Sequence, residues 1–237
     1  MASSSTDISD TITAENGGKA RLAVFDIDGT TIDGQSPAIV TLNLFTDGVL
    51  GIGSALMAGI WGLRYKAGLT VETTEVRQRV FAAFREMPVE KANQILADIY
   101  EKRVAPRIRE KALERIRWHQ ERGDVVVFVS ASFDYIAKLL AADIGVDRQL
   151  STKMGVKDGR YTGKVEGLPV EGDEKPVRLA QYADAEFGEG RWELAYSYGD
   201  HETDIPMLEM AEHPVAVNPK RGLESVAKER GWDIVDW

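Results

Sequence analysis

The sequence predicts an α/β fold with a mainly parallel sheet and an all-helical segment inserted after the first strand. Short apolar runs of strand length, at 22–25, 125–129 and 194–198, alternate with segments of helical periodicity. That alternation is typical of a parallel sheet covered by helices on both faces. Residues 34–104 contain helical patterns and no clear strand, which indicates an insertion between the first strand and the rest of the core.

The first strand follows a polar tail. Residues 1–20 are rich in Ser, Thr, Asp and Gly, and we expect them to form a disordered tail. The run 22–25 is apolar throughout and precedes a glycine-containing turn, so it is predicted to be a buried strand. The acidic residues after it therefore lie at the carboxyl end of a strand, where open α/β sheets bind ligands.

Two helices are predicted in the insertion, over residues 70–85 and 89–104, because their apolar side chains recur at helical spacing. After the insertion, a helix ending near Gly123 leads into the strand 125–129. The other predicted elements are helices at 134–144, 174–187, 204–210 and 223–230, a hairpin at 156–161, and strands at 194–198, 215–217 and 232–235.

These elements divide the chain into two units. Residues 21–33 and 105–237 are predicted to form a Rossmann-like α/β core, and residues 34–104 are predicted to form a helical cap insertion. We refer to residues 34–104 below as the insertion.

Charge and composition exclude several classes of partner and site. The 29 lysines and arginines are outnumbered by 38 acidic residues, and a net charge of −9 disfavours nucleic acid or an anionic membrane as a partner. The chain has no cysteine, which excludes disulfides and thiolate metal sites. The N-terminal residues lack a basic start and an apolar stretch, so they do not resemble a signal peptide, and we expect a cytoplasmic protein.

Two acidic residues, Asp26 and Asp28, follow the first strand. Carboxylates crowded together repel each other, and a divalent cation is the usual remedy. Gly29 allows a tight turn that brings backbone N–H groups towards an anion. The alternative is an acidic turn without further function, because Asp-Gly turns are common.

A second acidic pair, Asp200 and Asp204, lies across the turn after the strand 194–198. Hard oxygen ligands in a chain without cysteine favour Mg²⁺ over softer metals. The alternative is that Thr203 or Asp204 caps the following helix, a role that is compatible with a metal nearby.

Two further positions are candidates for binding a phosphate. Ser130 and Ser132 come directly after the strand 125–129, before a helix, where a hydroxyl and nearby N–H groups can hold a phosphate. Lys175 lies where a later helix begins, and a phosphate monoester requires a cation beside it. The alternatives are a helix-capping serine and a solvated surface lysine.

The order of these motifs resembles the haloacid dehalogenase superfamily, in the branch that includes phosphoserine phosphatase. The resemblance covers about residues 21–237 and places the insertion where the family has a helical cap. The matching segments are Asp26-Ile-Asp28-Gly-Thr30, Ser130 after its apolar strand, Lys175, Gly199-Asp200-His-Glu-Thr-Asp204, and Val215-Ala-Val-Asn218-Pro219.

The resemblance implies a role for each matching residue. Asp26 is the nucleophile that forms an aspartyl-phosphate, and Asp28 is the acid–base partner. Mg²⁺ is held by the Asp26 side chain, the Asp28 carbonyl and Asp200, with Asp204 in support. Phosphoryl oxygens are bound by three further groups, namely Ser130, the Ala131 N–H and Lys175.

The implied activity is hydrolysis of a small organic phosphate monoester. Ala131-Ser132 stands where phosphoserine enzymes usually have Gly-Gly. Gln35-Ser36-Pro37 follows the first motif, and the acid and the arginine that grip the substrate ammonium and carboxylate in those enzymes are not matched to residues of this chain. Phosphoserine itself is therefore not implied. A phosphotransferase on the same site remains an alternative, and a non-catalytic Mg²⁺- or phosphate-binding module is disfavoured because the charged motif residues are all present.

Residues 48–63 form a run without charge. A membrane-spanning helix needs about 20 apolar residues, and this run holds five glycines, so we expect no transmembrane span. Two interpretations stay open: a cap helix packed on its neighbours, or a helix that lines an apolar entrance for a lipid-like phosphate ester. The second is compatible with a peripheral membrane contact. The sequence does not determine an oligomeric state.

Overall fold

The computed structural model describes residues 18–46, 78, 80–146 and 148–237. The apolar run 48–63, the tail up to residue 17 and most of the helix predicted over 70–85 lie outside the described residues. Residues 80–83, at the end of that last segment, are helical.

The core is a six-stranded sheet in which every neighbouring pair is parallel, as the sequence predicted. Its strands are β1 (Ala20–Phe25), β2 (Val125–Phe133), β3 (Arg148–Thr152), β6 (Trp192–Gly199), β7 (His213–Val217) and β8 (Asp233–Val235), in the spatial order β3-β2-β1-β6-β7-β8. The strand β1 lies between β2 and β6, so the residues after these three strands meet at one edge of the sheet.

Helices cover both faces of this sheet. They are α1 (Ser36–Thr46), α2 (Val89–Ile99), α3 (Glu110–Glu121), α4 (Asp134–Ile144), α5 (Glu174–Phe187), α6 (Ile205–Met210) and α7 (Arg221–Arg230). Short π and 3-10 turns at Tyr100–Val104 and Ala105–Arg107 connect α2 to the core, and a 3-10 turn at Glu202–Asp204 precedes α6. The regular elements described between β1 and β2 are therefore all helical.

Side chains that alternate along β1 pack into two separate apolar cores. Ala23 and Phe25 face the core that includes α3, α4 and the insertion helices. Leu22 and Val24 face the core that includes α5 and α6. Burial on both faces explains why β1 is apolar from Leu22 to Phe25 rather than alternating with polar residues.

The structure corrects two boundaries predicted from the sequence and adds one strand. The tail was predicted to reach residue 20, but Ala20 is buried in β1 and its N–H donates to Arg191 O over 2.9 Å. The strand β2 continues beyond Val129 to Phe133, so Ser130 and Ser132 lie within it and not in a turn. The strand β3 was missed, because an edge strand paired on one side needs no continuous apolar run.

The predicted hairpin is formed by β4 (Met154–Lys157) and β5 (Arg160–Val165), and it packs against the insertion. Glu86 N donates to Tyr161 O over 2.8 Å, and Tyr161 N donates to Met87 O over 3.0 Å. The Tyr161 hydroxyl also donates to Asn93 Oδ1 over 2.9 Å. The hairpin therefore ties this end of the insertion to the rest of the chain. Across the described part of the chain, none of the helices combines the length and the apolar character needed to cross a membrane.

Candidate active site

Asp26 lies directly after β1, at the carboxyl edge of the sheet. Its N–H donates to Tyr198 O over 3.0 Å, and its carbonyl accepts a 2.7 Å hydrogen bond from Thr31 Oγ1. These contacts attach the backbone of Asp26 to β6 and to its own turn. The residue is 6% exposed, so its side chain has a fixed environment.

Lys175 binds both Asp26 and Asp204. Its Nζ donates to Asp26 Oδ1 over 2.7 Å and to Asp204 Oδ1 over 2.5 Å, and all three side chains are buried. Lys175 is the second residue of α5, so the beginning of this helix delivers the ammonium to the strand edge. The alternative of a solvated surface lysine is wrong, because Lys175 is only 2% exposed.

The other oxygen of Asp204 holds the turn after β6. Asp204 Oδ2 accepts hydrogen bonds from Asp200 N and His201 N, each over 3.1 Å. The sequence left open whether Asp204 caps a helix or supports a metal site. Its contacts with these two N–H groups are those of a capping residue, and they fix the backbone that carries Asp200.

Asp200 lies against Gly29, and the contact depends on the absence of a side chain at that position. Gly29 has a φ of +85°, and a Cβ added to it would lie 2.1 Å from Asp200 Oδ2. Glycine is therefore required both for the backbone conformation and for the approach of the carboxylate. The Asp200 carboxylate is buried, and its oxygens lie near those of Asp26 and Asp204.

Burial dominates the electrostatics of the site. Burial raises the pKa of Asp26 to about 7, although the ammonium of Lys175 opposes this change. Burial also raises the pKa of Asp200 well above its usual value, with a further contribution from Asp204. Burial alone would lower the pKa of Lys175, but the carboxylates of Asp204 and Asp26 outweigh it and raise that pKa. The site therefore has an excess of buried negative charge, which a divalent cation would compensate.

The donor set fits Mg²⁺. Carboxylate oxygens of Asp26, Asp200 and Asp204 lie within 4.8 Å of one another, and hard oxygen ligands suit this ion. Proximity alone would make Asp204 a ligand, but Lys175 and two N–H groups already occupy its oxygens. Asp26 and Asp200 are therefore the side chains that we expect to bind the ion.

Asp28 has a different set of partners from Asp26. Ser36 N donates to Asp28 Oδ1 over 2.6 Å, and Ser36 Oγ lies 3.1 Å from Asp28 Oδ2. Ser132 Oγ donates a short hydrogen bond to the same Oδ2. Burial raises the pKa of Asp28, and the hydrogen bonds from Ser132 and Ser36 oppose that increase.

Ser130 lies on β2, beside the strand that leads to Asp26. It is 1% exposed, and its Oγ accepts a hydrogen bond from Ser132 N over 3.3 Å. Ala131 is half-buried and lines a small cavity together with Ser36 of α1.

The structure brings Asp26, Lys175, Asp200 and Asp204 into one cluster of contacts, which the sequence predicted only from their order. It also shows Ser36 as a site residue that sequence analysis missed. Its one signal in the sequence was its place shortly after the first motif.

Comparison with curated proteins identifies relatives over most of the chain. The inhibition of morphological differentiation protein of Streptomyces azureus is 31% identical over 91% of this chain and 78% of that protein. A probable phosphatase of Mycobacterium tuberculosis is 37% identical over 61% of this chain, which spans 48% of that relative's length.

Two solved structures have the same fold. A Bordetella pertussis protein of unknown function superposes with a TM-score of 0.81 at 27% identity, covering 92% of this chain and 99% of that chain. A phospho-aspartyl intermediate analogue of phosphoserine phosphatase superposes with a TM-score of 0.62 at 24% identity, covering 91% and 92%. The model of the haloacid dehalogenase-like hydrolase family matches residues 23–209. The chain therefore belongs to the haloacid dehalogenase-like hydrolases, which confirms the family predicted from the order of its motifs.

Proposed function

We propose that this protein is a Mg²⁺-dependent phosphomonoester hydrolase that acts on a small organic phosphate through an aspartyl-phosphate at Asp26. The observation that carries the proposal is the buried contact of Lys175 with Asp26 and Asp204, with the buried carboxylate of Asp200 beside them. A nucleophile, a cation for the phosphate and a metal ligand are thus present within one site.

The phosphatase class predicted from the sequence is confirmed by the family and by relatives of that class. The substrate and the role of each residue are parts of the present proposal. The cytoplasmic location also stays a prediction.

In the first step, the Asp26 carboxylate attacks phosphorus and the bond from phosphorus to the ester oxygen breaks. Asp28 gives its proton to that oxygen, so the alcohol leaves in its neutral form. Ser130, the Ala131 N–H and Lys175 hold the phosphoryl oxygens. Bound at Asp26, Asp200 and the Asp28 carbonyl, Mg²⁺ would supply positive charge that offsets the negative charge of the phosphoryl group.

In the second step, the Asp28 carboxylate takes a proton from water while the water oxygen attacks phosphorus. The bond between phosphorus and the Asp26 oxygen breaks, which releases inorganic phosphate and restores both aspartates. A covalent intermediate divides one difficult displacement into two easier ones.

The proposal is tested by phosphate release from p-nitrophenyl phosphate in the presence of Mg²⁺. Turnover supports a hydrolase, whereas its absence across a panel of phosphate monoesters would favour a binding module. If the phosphoryl group is transferred to added alcohols, more p-nitrophenol than inorganic phosphate is released. Such an excess would instead identify the phosphotransferase alternative.

Removal of the metal is expected to abolish turnover. Chelation with EDTA leaves the buried carboxylates without compensation, and added Mg²⁺ should restore the rate. Ca²⁺ should restore little, because its longer and looser coordination misplaces the nucleophile. The Asp200→Asn variant should imitate the loss, whereas Asp233→Asn, an exposed carboxylate on β8, should leave the rate unchanged. Full activity in EDTA contradicts a metal requirement.

A second candidate is a phosphatase for esters with an uncharged, apolar leaving group, and one observation favours it. A cavity of about 10 Å³ is lined by Ser36, which is hydrogen-bonded to Asp28. Its lining is apolar apart from Ser36 and consists of Pro37, Val40, Val80, Phe81, Phe133, Ile136 and Ala131. In the part of the chain that the structure describes, no charged side chain lines this cavity. An ammonium or carboxylate entering it would lose water without gaining a partner.

The cavity has room for roughly one water molecule, so an organic group enters only if the insertion moves away from the core. The two substrate classes are separated by kcat/KM for n-butyl phosphate and for phosphoserine. If the leaving group is apolar, kcat/KM should be higher for n-butyl phosphate than for phosphoserine. The Val40→Thr variant should then show a smaller ratio of these two values than the wild type. The matched control is Val104→Thr, a buried valine that does not line the cavity. A wild-type preference for phosphoserine contradicts this candidate.

A further inference from the structure

We propose that Ser132, together with Ser36, positions the carboxyl group of Asp28 for proton transfer to the leaving group. The inference rests on the proposed function, in which Asp28 is the acid. It extends that function because Ser132 was considered from the sequence only as a phosphate-binding or capping residue, and Ser36 was not predicted as a site residue. Both serines are positioning residues, since they act on the substrate only through Asp28.

The two serines approach Asp28 from different parts of the fold. Ser132 lies near the end of β2 in the core, and Ser36 is the first residue of α1 in the insertion. All three side chains are buried, with exposures of 0% for Ser132, 1% for Ser36 and 8% for Asp28. Their hydrogen bonds are therefore largely protected from competition by water.

When Asp28 is a carboxylate, counting protons selects one arrangement of these hydrogen bonds. The two hydroxyl oxygens lie 2.7 Å apart, so one of them must donate to the other. If Ser132 donates to Asp28 Oδ2, its oxygen is free to accept from Ser36. The resulting chain runs from Ser36 Oγ–H to Ser132 Oγ–H to Asp28 Oδ2. The opposite assignment would leave the closer hydroxyl, that of Ser132, without its hydrogen bond to the carboxylate.

This arrangement fixes the plane of the Asp28 carboxyl group without saturating it. One oxygen accepts from Ser36 N and the other from Ser132 Oγ, so each oxygen is held at one lone pair. A carboxylate offers about four lone-pair positions, so a position remains on each oxygen for the proton that is transferred. Positioning of this kind contributes to rate because a proton donor must lie within hydrogen-bond reach of its acceptor.

The contact between Ser132 and Asp28 depends on the serine that this chain has at position 132. Phosphoserine enzymes of the matching branch usually have glycine there, and glycine has no hydroxyl to donate. In this chain the hydroxyl supplies the link between β2, Asp28 and the first turn of α1. We therefore expect loss of Ser132 Oγ to act on the proton donor and not on phosphate binding.

The test compares p-nitrophenyl phosphate with phenyl phosphate. The two esters are similar in shape, but p-nitrophenolate leaves without help from an acid, whereas phenolate needs a proton. Using kcat/KM restricts the comparison to the steps up to release of the phenol. Ser132→Ala is expected to lower kcat/KM for phenyl phosphate about tenfold more than for p-nitrophenyl phosphate. Ser36→Ala, which keeps the Ser36 N–H, should produce a smaller change in the same direction.

The ratio of the two kcat/KM values does not depend on the fraction of folded enzyme, so a partly unfolded variant still gives an answer. Ser132→Thr restores a hydroxyl and should recover the wild-type ratio. Ser151→Ala is the matched control, because this buried serine on β3 donates to Gln149 and not to Asp28. Equal losses for both esters in Ser132→Ala would overturn the inference.

Asp28→Asn separates failure of the inference from failure of the proposed function. If Asp28→Asn loses more kcat/KM for phenyl phosphate than for p-nitrophenyl phosphate while Ser132→Ala does not, the acid role of Asp28 is supported and the positioning role of Ser132 is wrong. If Asp28→Asn itself lacks that dependence, the acid role of Asp28 fails and the inference fails with it. In the double variant, the effect of Ser132→Ala on the ratio should largely disappear, because the two residues act in one step.

Discussion

The Asp26→Asn variant is expected to lose turnover by at least about 10⁴-fold while it keeps its fold. An amide is a poor nucleophile and a weaker metal ligand than a carboxylate, so both the covalent step and the Mg²⁺ site are impaired. The expected result is measured as kcat for p-nitrophenyl phosphate at saturating Mg²⁺. Asp33→Asn is a control from the same segment, since this carboxylate is exposed and pairs with Arg109.

The same substitution should not destabilise the metal-free protein at alkaline pH. Burial raises the pKa of Asp26 from 3.8 to about 7, so the folded state binds more protons than the unfolded state between these values. The stability contributed by Asp26 is therefore present below its unfolded pKa and is lost as pH rises through its folded pKa. An asparagine does not ionise and avoids that loss. Substantial Mg²⁺-dependent turnover by Asp26→Asn, at a normal unfolding temperature, would refute the covalent mechanism.

Three strands that are buried on both faces were visible in the sequence as apolar runs. The strands β1, β2 and β6 lie in the interior of the sheet, and their apolar runs are visible without any structure. The edge strand β3 has the sequence Arg-Gln-Leu-Ser-Thr, and its side chains are mostly half-buried. An edge position does not demand an apolar run, so no periodicity distinguishes this strand from a loop.

The contacts of the site also fall into those that the sequence predicted and those that it did not. Asp26 and Asp200 were expected to meet because residues after parallel strands lie at one edge of the sheet, whereas the place of Lys175 in the site was implied by the family resemblance. The contact between Asp28 and Ser36 depends on where α1 begins and on the path of the turn before it. Neither the first residue of α1 nor the path of this turn follows from the spacing of residues in the sequence. Only the structure therefore shows that Asp26 and Asp28 have different partners.

Replacing Lys175 by methionine is expected to impair both stability and catalysis. The ammonium lies between two buried carboxylates, and its removal leaves them without compensation. Removing one partner of a buried ion pair typically costs about 3–5 kcal/mol, and we expect a loss of this size in the metal-free free energy of unfolding. The matched control is Lys138→Met, since Lys138 forms an exposed i,i+4 pair with Asp134 that is worth about 0–1 kcal/mol.

Two further measurements decide whether the charge of Lys175, and not its shape, is responsible. Mg²⁺ should return part of the lost stability to Lys175→Met, because a cation beside Asp26 replaces some of the missing positive charge. Adding Asp204→Asn should also restore stability, since it removes one of the two uncompensated carboxylates, but it should not restore turnover. Turnover stays low because the phosphoryl group still lacks the ammonium that offsets its charge in the transition state.

If Lys175→Met unfolds at the wild-type denaturant concentration and Asp204→Asn adds nothing, the buried lysine does not compensate these carboxylates. The phosphate-binding role proposed for Lys175 would then have to be judged from kcat/KM alone.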